Sequence, residues 1–317
     1  MIHVSIQYNK YRRYNQLSDC TITGEAFYRD NLYKGNEFIQ LISSCKTEEQ
    51  FIDRLKRLNG FYALIKHRDQ KLFAAVDQVR SIPLFYGQKG NDFFISDSAE
   101  WVREQVGNNE MDTLAREEFL LTGYVTGPDT LFPDVKQLQA GEALIVSDNN
   151  TELSVSVKRY YRFIHQNTLE DSEEELLSKL DEVLLNVFQR LIKRADGRTL
   201  VVPLSGGYDS RLIVLMLKRL GYDNVITFSY GRPGNKESEI SKKVAETLNM
   251  RWEFIPYSNE AWYKWFHSEE RKKYWSMAGT LCSLPHNQDW PAVSEMKRRG
   301  IIPDDSIFVP GHTVTLT

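Results

Sequence analysis

The sequence has few cysteines, no large excess of either charge and no long hydrophobic run. Its three cysteines, Cys20, Cys45 and Cys282, form no Cys-x-x-Cys pair, which argues against a disulfide framework or zinc site and favours a reducing compartment. The net charge of −3 indicates no surface for nucleic acid or anionic membranes. No apolar run is long enough to span a bilayer, and the N-terminus lacks a signal-peptide pattern. We therefore expect a cytoplasmic, enzyme-like protein without nucleic-acid or membrane partners.

The first half of the chain has the pattern of a β-rich domain. Thr47 begins a capping box for a helix that is predicted to end near Leu58. Because several apolar runs are partly continuous rather than alternating, their strands are expected to be buried on both faces of a layered sheet. These predicted strands cover residues 61–65, 72–76, 93–96 and 141–146.

The second half has the alternating pattern of an α/β domain. Ser172 begins another capping box, and the apolar stripe over 176–192 is predicted to pack in the core. Strand and helix patterns then alternate through residue 257, which predicts a parallel sheet with helices on both faces. A polar, unpatterned segment separates the halves. At 317 residues, two domains are expected, and we assign residues 1–162, a linker at 163–172 and residues 173–317.

The most informative segment is Ser205-Gly206-Gly207-Tyr208-Asp209-Ser210, between an apolar run at 200–204 and an amphipathic helix. A glycine-rich turn before a helix N-terminus binds anions, because unpaired N–H groups and the helix dipole favour negative charge there. Asp209 would repel a phosphate, unless Mg²⁺ lies between the two groups. The segment matches neither G-x-x-x-x-G-K-[ST] nor G-x-G-x-x-G. It therefore predicts a nucleotide that is bound together with its metal.

These residues resemble the pyrophosphate-binding loop of the ATP pyrophosphatase superfamily, whose members cleave ATP to AMP and pyrophosphate. The resemblance implies ATP and Mg²⁺ as cofactors, with Asp209 contacting the metal. Ligands of such sheets bind at the carboxyl ends of the strands, so Leu204 and residues 228–230 should flank the adenosine. The predicted nucleotide-binding residues are Leu204, Ser205, Gly206, Gly207, Asp209, Ser210, Phe228, Ser229, Tyr230 and Gly311.

A second resemblance lies in the first half of the chain. Residues 60–63 and 77–87, the latter reading Asp-Gln-Val-Arg-Ser-Ile-Pro-Leu-Phe-Tyr-Gly, are similar to the glutaminase domain of the glutamine-hydrolysing (class B) asparagine synthetase family. Together with the loop, the similarity covers most of residues 20–257. It implies a layered, β-rich domain of the N-terminal-nucleophile (Ntn) glutaminase type, followed by a parallel-sheet α/β ATP-pyrophosphatase domain.

The chain departs from this family at the positions that hydrolyse glutamine. The family's nucleophile is a cysteine exposed by removal of the initiator Met, and this chain has Ile2. Thr23 replaces the asparagine that helps form the oxyanion hole, and Asn59 replaces the aspartate that holds the substrate's amino group. We predict that the glutaminase-like domain is inactive. Cys20 and Cys45 are expected to be small buried residues rather than substitute nucleophiles.

The C-terminal segment departs from the family as well. Residues 307–313 resemble the start of its second active-site motif, but the sequence ends at Thr317 with no acidic residue in that loop. We therefore expect the synthetase domain to be incomplete, and we assign no catalytic residue. Trp290, Trp275 and the aromatic residues of 262–266 are expected to pack between helices rather than against a substrate.

Three functions are compatible with these patterns. The first is an asparagine-synthetase-like amide ligase that adenylates a small carboxylate with Mg·ATP for attack by ammonia or an amine, in a chain that could form a homodimer. The second is a non-catalytic nucleotide-binding remnant of such an enzyme. A tRNA-thiolating or an NAD or GMP synthetase type shares only the loop, and both the N-terminal domain and the absence of a basic patch disfavour it.

Overall fold

The computed structural model describes residues 3–10, 12–68, 70–148 and 153–311. The chain divides into two units, Met1–Gln166 with Trp275–Pro285 and Asn167–Tyr274 with His286–Thr317. The boundary between Gln166 and Asn167 lies inside the segment 163–172, which contains no helix or strand. The sequence patterns give no sign that Trp275–Pro285 belongs to the first unit. Within the described ranges, no helix is long and apolar enough to cross a membrane.

Apart from the last four residues of the helix Glu269–Ala278, the first unit contains two sheets and four helices in its described part. The larger sheet has the order β11-β10-β6-β5-β3-β2, with β4 paired to β3, and the smaller has the order β1-β8-β7-β9. The elements are β1 (His3–Gln7), β2 (Asn15–Leu17), β3 (Cys20–Tyr28), β4 (Asn31–Lys34), α1 (Gly35–Ser43), α2 (Glu48–Lys56), β5 (Leu58–Arg68), β6 (Lys71–Val76), β7 (Phe85–Lys89), β8 (Asp92–Ser96), α3 (Ala99–Val106), α4 (Thr113–Thr122), β9 (Lys136–Gln137), β10 (Glu142–Asp148) and β11 (Leu153–Arg159).

Three apolar clusters show that this unit is layered. One cluster joins α1 and α2 to the larger sheet, the second lies between the sheets, and the third joins the smaller sheet to α3 and α4. Along β5, Leu64 belongs to the first cluster, while Ala63 and Ile65 belong to the second. This alternation, with side chains buried on both sides, confirms the expected layered sheet. Thr47 accepts the Gln50 N–H and caps α2 as predicted, although the helix ends at Lys56.

The second unit is a parallel α/β layer. Its sheet has the order β14-β13-β12-β15, and every pairing is parallel, which confirms the predicted fold class. In β12, Leu200 and Val202 face a cluster with α5, α6 and α7, whereas Val201 faces a cluster with α10. The elements are α5 (Glu173–Ala195), β12 (Leu200–Pro203), α6 (Tyr208–Arg219), β13 (Val225–Gly231), α7 (Lys236–Thr247), β14 (Arg251–Pro256), α8 (Asn259–Phe266), α9 (Glu269–Ala278), α10 (Trp290–Arg298) and β15 (Ile307–Phe308).

The prediction that the whole stripe of α5 packs in the core is wrong. The predicted Ser172 capping box is present and Phe188 is buried, but Leu177, Leu180 and Val183 are more than half exposed. The physical reason is length. A helix of 23 residues extends about 34 Å, whereas the four residues of β12 extend about 13 Å. Only the C-terminal half of α5 reaches the core of the sheet.

Candidate functional site

The glycine-rich loop lies at the carboxyl ends of the two central strands of the second unit. Residues 204–207 connect β12 to α6, and β13 ends alongside. The Leu204 N–H donates to the Phe228 carbonyl at 2.8 Å, which extends the strand pairing by one residue before the chain turns. Gly207 is the N-cap of α6. Since glycine has no side chain, α6 begins without a side-chain cap, and an uncapped helix N-terminus favours negative charge.

The two serines of the loop bond mainly to the loop itself. Ser210 Oγ accepts the Ser205 N–H at 3.1 Å and lies 3.1 Å from Ser205 Oγ. Ser205 Oγ in turn accepts the Gly207 N–H at 3.1 Å. Ser210 is buried, so its hydroxyl fixes the turn from inside. The serines therefore hold the shape of the loop.

A carboxylate that the sequence analysis missed contacts the loop. Glu237, in the first turn of α7, accepts the Gly206 N–H at 2.8 Å through Oε2. An ideal Cβ on Gly206 would lie 3.3 Å from that oxygen and from Ile240 Cδ1, so a glycine keeps this approach open. A carboxylate oxygen thus takes the position that an anion would take at the loop. The available signal was a second strand–turn–helix unit, with Glu237 soon after β13.

A cavity of about 230 Å³ opens beside the loop. It brings together seven of the ten predicted nucleotide-binding residues: Leu204, Ser205, Ser210, Phe228, Ser229, Tyr230 and Gly311. Pro203, Glu237 and Asp289 also line it and were not foreseen. The other three predicted residues, Gly206, Gly207 and Asp209, belong to the adjoining loop and the first turn of α6 without lining the cavity.

Gly311 closes one side of this cavity against the start of α6. An ideal Cβ at this position would lie 2.7 Å from the Ser210 nitrogen and 2.9 Å from its Cα. Real Cβ atoms do not approach backbone so closely, so only glycine fits here without a shift. Residues 312–317, where the resemblance to a second active-site motif continues, lie outside the described residues.

Tyr230 links the cavity to the loop before α10. Its hydroxyl donates to Asp289 Oδ1 at 2.5 Å, and burial together with this hydrogen bond raises the pKa of Tyr230. Tyr230 therefore stays a neutral donor at physiological pH. The side chain of Asp289 is 22% exposed, so the carboxylate remains accessible from the cavity.

Two family models match the chain, one in each half. Residues 46–161 match a glutamine amidotransferase domain, and residues 179–268 match an asparagine synthase domain. The pair fits an asparagine-synthetase-like family. The family is an ATP-utilising amidotransferase and ligase class, which agrees with the loop and the parallel sheet. No curated protein matches the sequence.

This asparagine-synthetase-like chain also has distant likenesses among solved structures. An NH₃-dependent NAD synthetase from Campylobacter jejuni matches at 17% identity over 43% of this chain and 56% of that one, with a TM-score of 0.29. A glutamine phosphoribosylpyrophosphate amidotransferase from B. subtilis matches at 12% identity over 76% and 47%, with a TM-score of 0.30. The chain thus spans about half the length of each. At TM-scores below 0.5, these likenesses identify no common fold.

The residues predicted to stand at the family's glutaminase positions lie, where described, on the larger sheet of the first unit. Thr23 is buried on β3, and its hydroxyl donates to the Arg13 carbonyl at 2.9 Å. Asn59 is exposed on β5 and pairs with Phe27. Because Thr23 and Phe27 lie four residues apart on one strand, Thr23 and Asn59 are separated by about 13 Å along the sheet. Ile2 lies outside the described residues.

The cysteines near this sheet are buried, as predicted. Cys20 is fully buried and Cys45 is 5% exposed. Burial raises the pKa of the Cys20 thiol to about 12 and also raises that of Cys45. Since the thiolate is the nucleophilic form of cysteine, neither side chain is activated for attack at neutral pH.

The groups around the loop are compatible with Mg·ATP. Mg²⁺ is usually held by one or two carboxylates together with substrate phosphates and water. Asp209 in α6 and Glu237 in α7 supply two carboxylates beside the loop. Within the described ranges, no group of three or more His, Cys, Asp and Glu is placed to hold a metal. Two carboxylates beside the loop suit a cation that would also be held by phosphates of a nucleotide.

Proposed function

We propose that this chain is the ATP-binding part of an amide ligase that activates a carboxylate by adenylation. The observation behind the proposal is the cavity at the ends of β12 and β13, lined by seven residues expected at a nucleotide site. Further support comes from the asparagine synthase match over 179–268 and from a loop whose Gly206 N–H already binds a carboxylate oxygen.

The chain's own residues would act mainly by holding charge. Amides of the loop and of the first turn of α6 would bind the leaving pyrophosphate, and the helix dipole would add to their effect. Asp209 and Glu237 would hold the Mg²⁺ that shields this charge. The cavity wall that contains Leu204 and Phe228 would contact the base and ribose. ATP supplies the activated phosphorus, at which the substrate carboxylate oxygen attacks as pyrophosphate leaves.

In the second half of the reaction, an amine would attack the acyl carbon and displace AMP, and the protons of the amine would pass to solvent. We propose ammonia or a substrate amine rather than glutamine as the donor. From the sequence resemblance, we infer that Thr23 and Asn59 replace the family's oxyanion asparagine and substrate-binding aspartate. In addition, the Thr23 hydroxyl already donates to a backbone carbonyl, so it is not directed at a developing oxyanion.

The test is release of AMP and pyrophosphate from Mg·ATP by the purified chain. Pooled carboxylic acids are supplied with ammonia and amines in one arm and with glutamine in the other. The proposal predicts release in the first arm above the glutamine arm. Absence of release in both arms, with Mg·ATP binding retained, would contradict the ligase function and favour a non-catalytic nucleotide-binding protein.

A further inference from the structure

A second cavity of about 230 Å³ adjoins the nucleotide cavity within the same unit. Pro203, Phe228 and Asp289 line both cavities. A ligand held against Asp289 in the second cavity would therefore lie next to the nucleotide cavity. The remaining walls of the second cavity are formed by Tyr274, His286, Trp290, Val293, Phe308 and Pro310.

The walls of the second cavity are largely aromatic and include one carboxylate, with His286 Nδ1 3.7 Å from it. The ring centroids of Tyr274 and Trp290 lie 5.6 Å apart. Phe308 lies on β15, which pairs with β12. None of the described lining residues is a lysine or an arginine, and Asp289 is their one carboxylate. Aromatic faces and a carboxylate together attract organic cations, whereas a second carboxylate would be repelled.

The Asp289 carboxylate has capacity left for a ligand. Oδ1 accepts the Tyr230 hydroxyl, and Oδ2 lies 3.7 Å from His286 Nδ1, which is beyond a normal hydrogen bond. An ionised carboxylate has about four acceptor sites. Both oxygens can therefore accept further N–H bonds from a ligand in the cavity.

The loop that presents Asp289 is held in place by backbone contacts. The Tyr257 hydroxyl donates to the Gln288 carbonyl at 2.8 Å and accepts the Ala292 N–H at 2.9 Å. The Tyr274 hydroxyl donates to the His286 carbonyl at 2.5 Å. Trp290 packs against Trp265 as predicted, with centroids 5.3 Å apart, and it also lines the cavity. These contacts anchor the backbone on both sides of Asp289 beside the cavity.

We propose that the second cavity binds the amine co-substrate, as a small primary ammonium ion with an apolar or aromatic body. The ammonium group contacts Asp289, and the body lies among Tyr274, Trp290 and Phe308. This inference rests on the proposed function, because it names the class of amine that attacks the activated carboxylate. It also places that amine on the wall that the two cavities share.

The test is equilibrium binding of 2-phenylethylamine to the full chain at pH 7, measured by calorimetry. The two comparison ligands are 2-phenylethanol, which has the same shape without charge, and 3-phenylpropanoate, which is negative. We expect the amine to bind at least about tenfold more tightly than the alcohol, and the acid not to bind. Equal binding of amine and alcohol, tighter binding of the acid, or no binding of the amine would overturn the inference.

Asp289→Asn tests the role of the carboxylate and retains an acceptor for Tyr230. It should remove the preference for the amine over the alcohol. The matched control is Asp304→Asn, because Asp304 is exposed, pairs with Lys297 and lines neither cavity. A preference for the amine that survives Asp289→Asn would overturn the inference. If this variant does not fold, the comparison of the three ligands on the unaltered chain decides the question.

Mg·ATP binding measured in the same samples separates the two proposals. ATP binding without amine binding would overturn the amine site alone. Amine binding without ATP binding would contradict the proposed ligase function.

Discussion

The contact between Glu237 and the loop gives a prediction whose sign depends on the metal. Glu237→Gln removes the negative charge but leaves an oxygen that can accept the Gly206 N–H bond, now 2.8 Å long. Hydrogen bonds to charged groups contribute about 1.5–3 kcal/mol, and solvent exposure of this bond reduces the figure to about 1 kcal/mol. Two unit charges 4 Å apart repel by about 1–4 kcal/mol between the dielectric of water and that of a protein surface.

An incoming phosphate therefore has to displace Glu237 or lie beside it. Glu237→Gln weakens the hydrogen bond that the phosphate must displace and removes the repulsion between the two negative charges. If these two effects together recover about 1.4 kcal/mol, metal-free pyrophosphate should bind Glu237→Gln about tenfold more tightly. With Mg²⁺ present, the carboxylate becomes a possible cation ligand, so the gain should shrink or reverse.

Calorimetric titration with pyrophosphate, first in EDTA and then in excess Mg²⁺, measures both conditions. Glu239→Gln is the control, since Glu239 is exposed on the same helix and does not line the cavity. Metal-free affinity that is unchanged within about twofold, or weaker, in Glu237→Gln would refute the reasoning.

Three further predictions follow from other contacts. Gly311→Ala should cost about 1–3 kcal/mol through overpacking against Ser210 and weaken Mg·ATP binding; urea unfolding and nucleotide titration at wild-type values would contradict this. Arg298 and Arg299 lower the pKa of Glu295 to about 2, so this carboxylate should stabilise α10 by about 0.5 kcal/mol above pH 4.5. Because the pKa of Glu295 is lowered in the folded protein, the difference in stability between the unaltered chain and Glu295→Gln should disappear as pH falls from about 4.5 to 2. A difference that persists at pH 2 would contradict this prediction. The chain should release no ammonia from glutamine, and turnover in a coupled glutamate dehydrogenase assay would reverse the assignment of the first unit.

The loop could be predicted from the sequence because its chemistry is local. A strand, two glycines and a helix start lie within about ten consecutive residues, and backbone sterics alone determine what such a turn can bind. The position of Phe228 and Ser229 at the edge of the sheet followed from the βαβ pattern, because parallel strands place their carboxyl ends at one edge. In the first unit, strands buried on both faces could be recognised from continuous apolar runs such as that around Leu64, because neither face of such a strand needs polar residues.

Other features depend on contacts that sequence patterns do not encode. Glu237 and Asp289 are ordinary acidic residues in sequence, and only the tertiary fold brings them to the cavity. The apolar stripe of α5 predicted a buried face, but whether Leu177 and Leu180 are covered depends on the length of the neighbouring sheet rather than on the period of the helix. The return of Trp275–Pro285 to the first unit is likewise a long-range event, in which the Val125 and Leu131 amides donate to the Cys282 and Leu281 carbonyls.

The most direct test of the account is binding of Mg·ATP to the chain and to Gly207→Asp. Gly207 has φ −75° and ψ 167°, which aspartate can adopt. An ideal Cβ there would lie 3.2 Å from Ser205 Oγ, so a small shift of that side chain is needed, and the aspartate should then cap α6 at least as well as glycine. Its carboxylate would nevertheless repel phosphates from the loop.

Ser258→Asp, a change of charge at the N-cap of α8, is the matched control. The account predicts that the unaltered chain and Ser258→Asp bind Mg·ATP, while Gly207→Asp keeps its folding stability and loses at least about tenfold in affinity. Equal affinity of all three proteins, or binding by none of them, would contradict it.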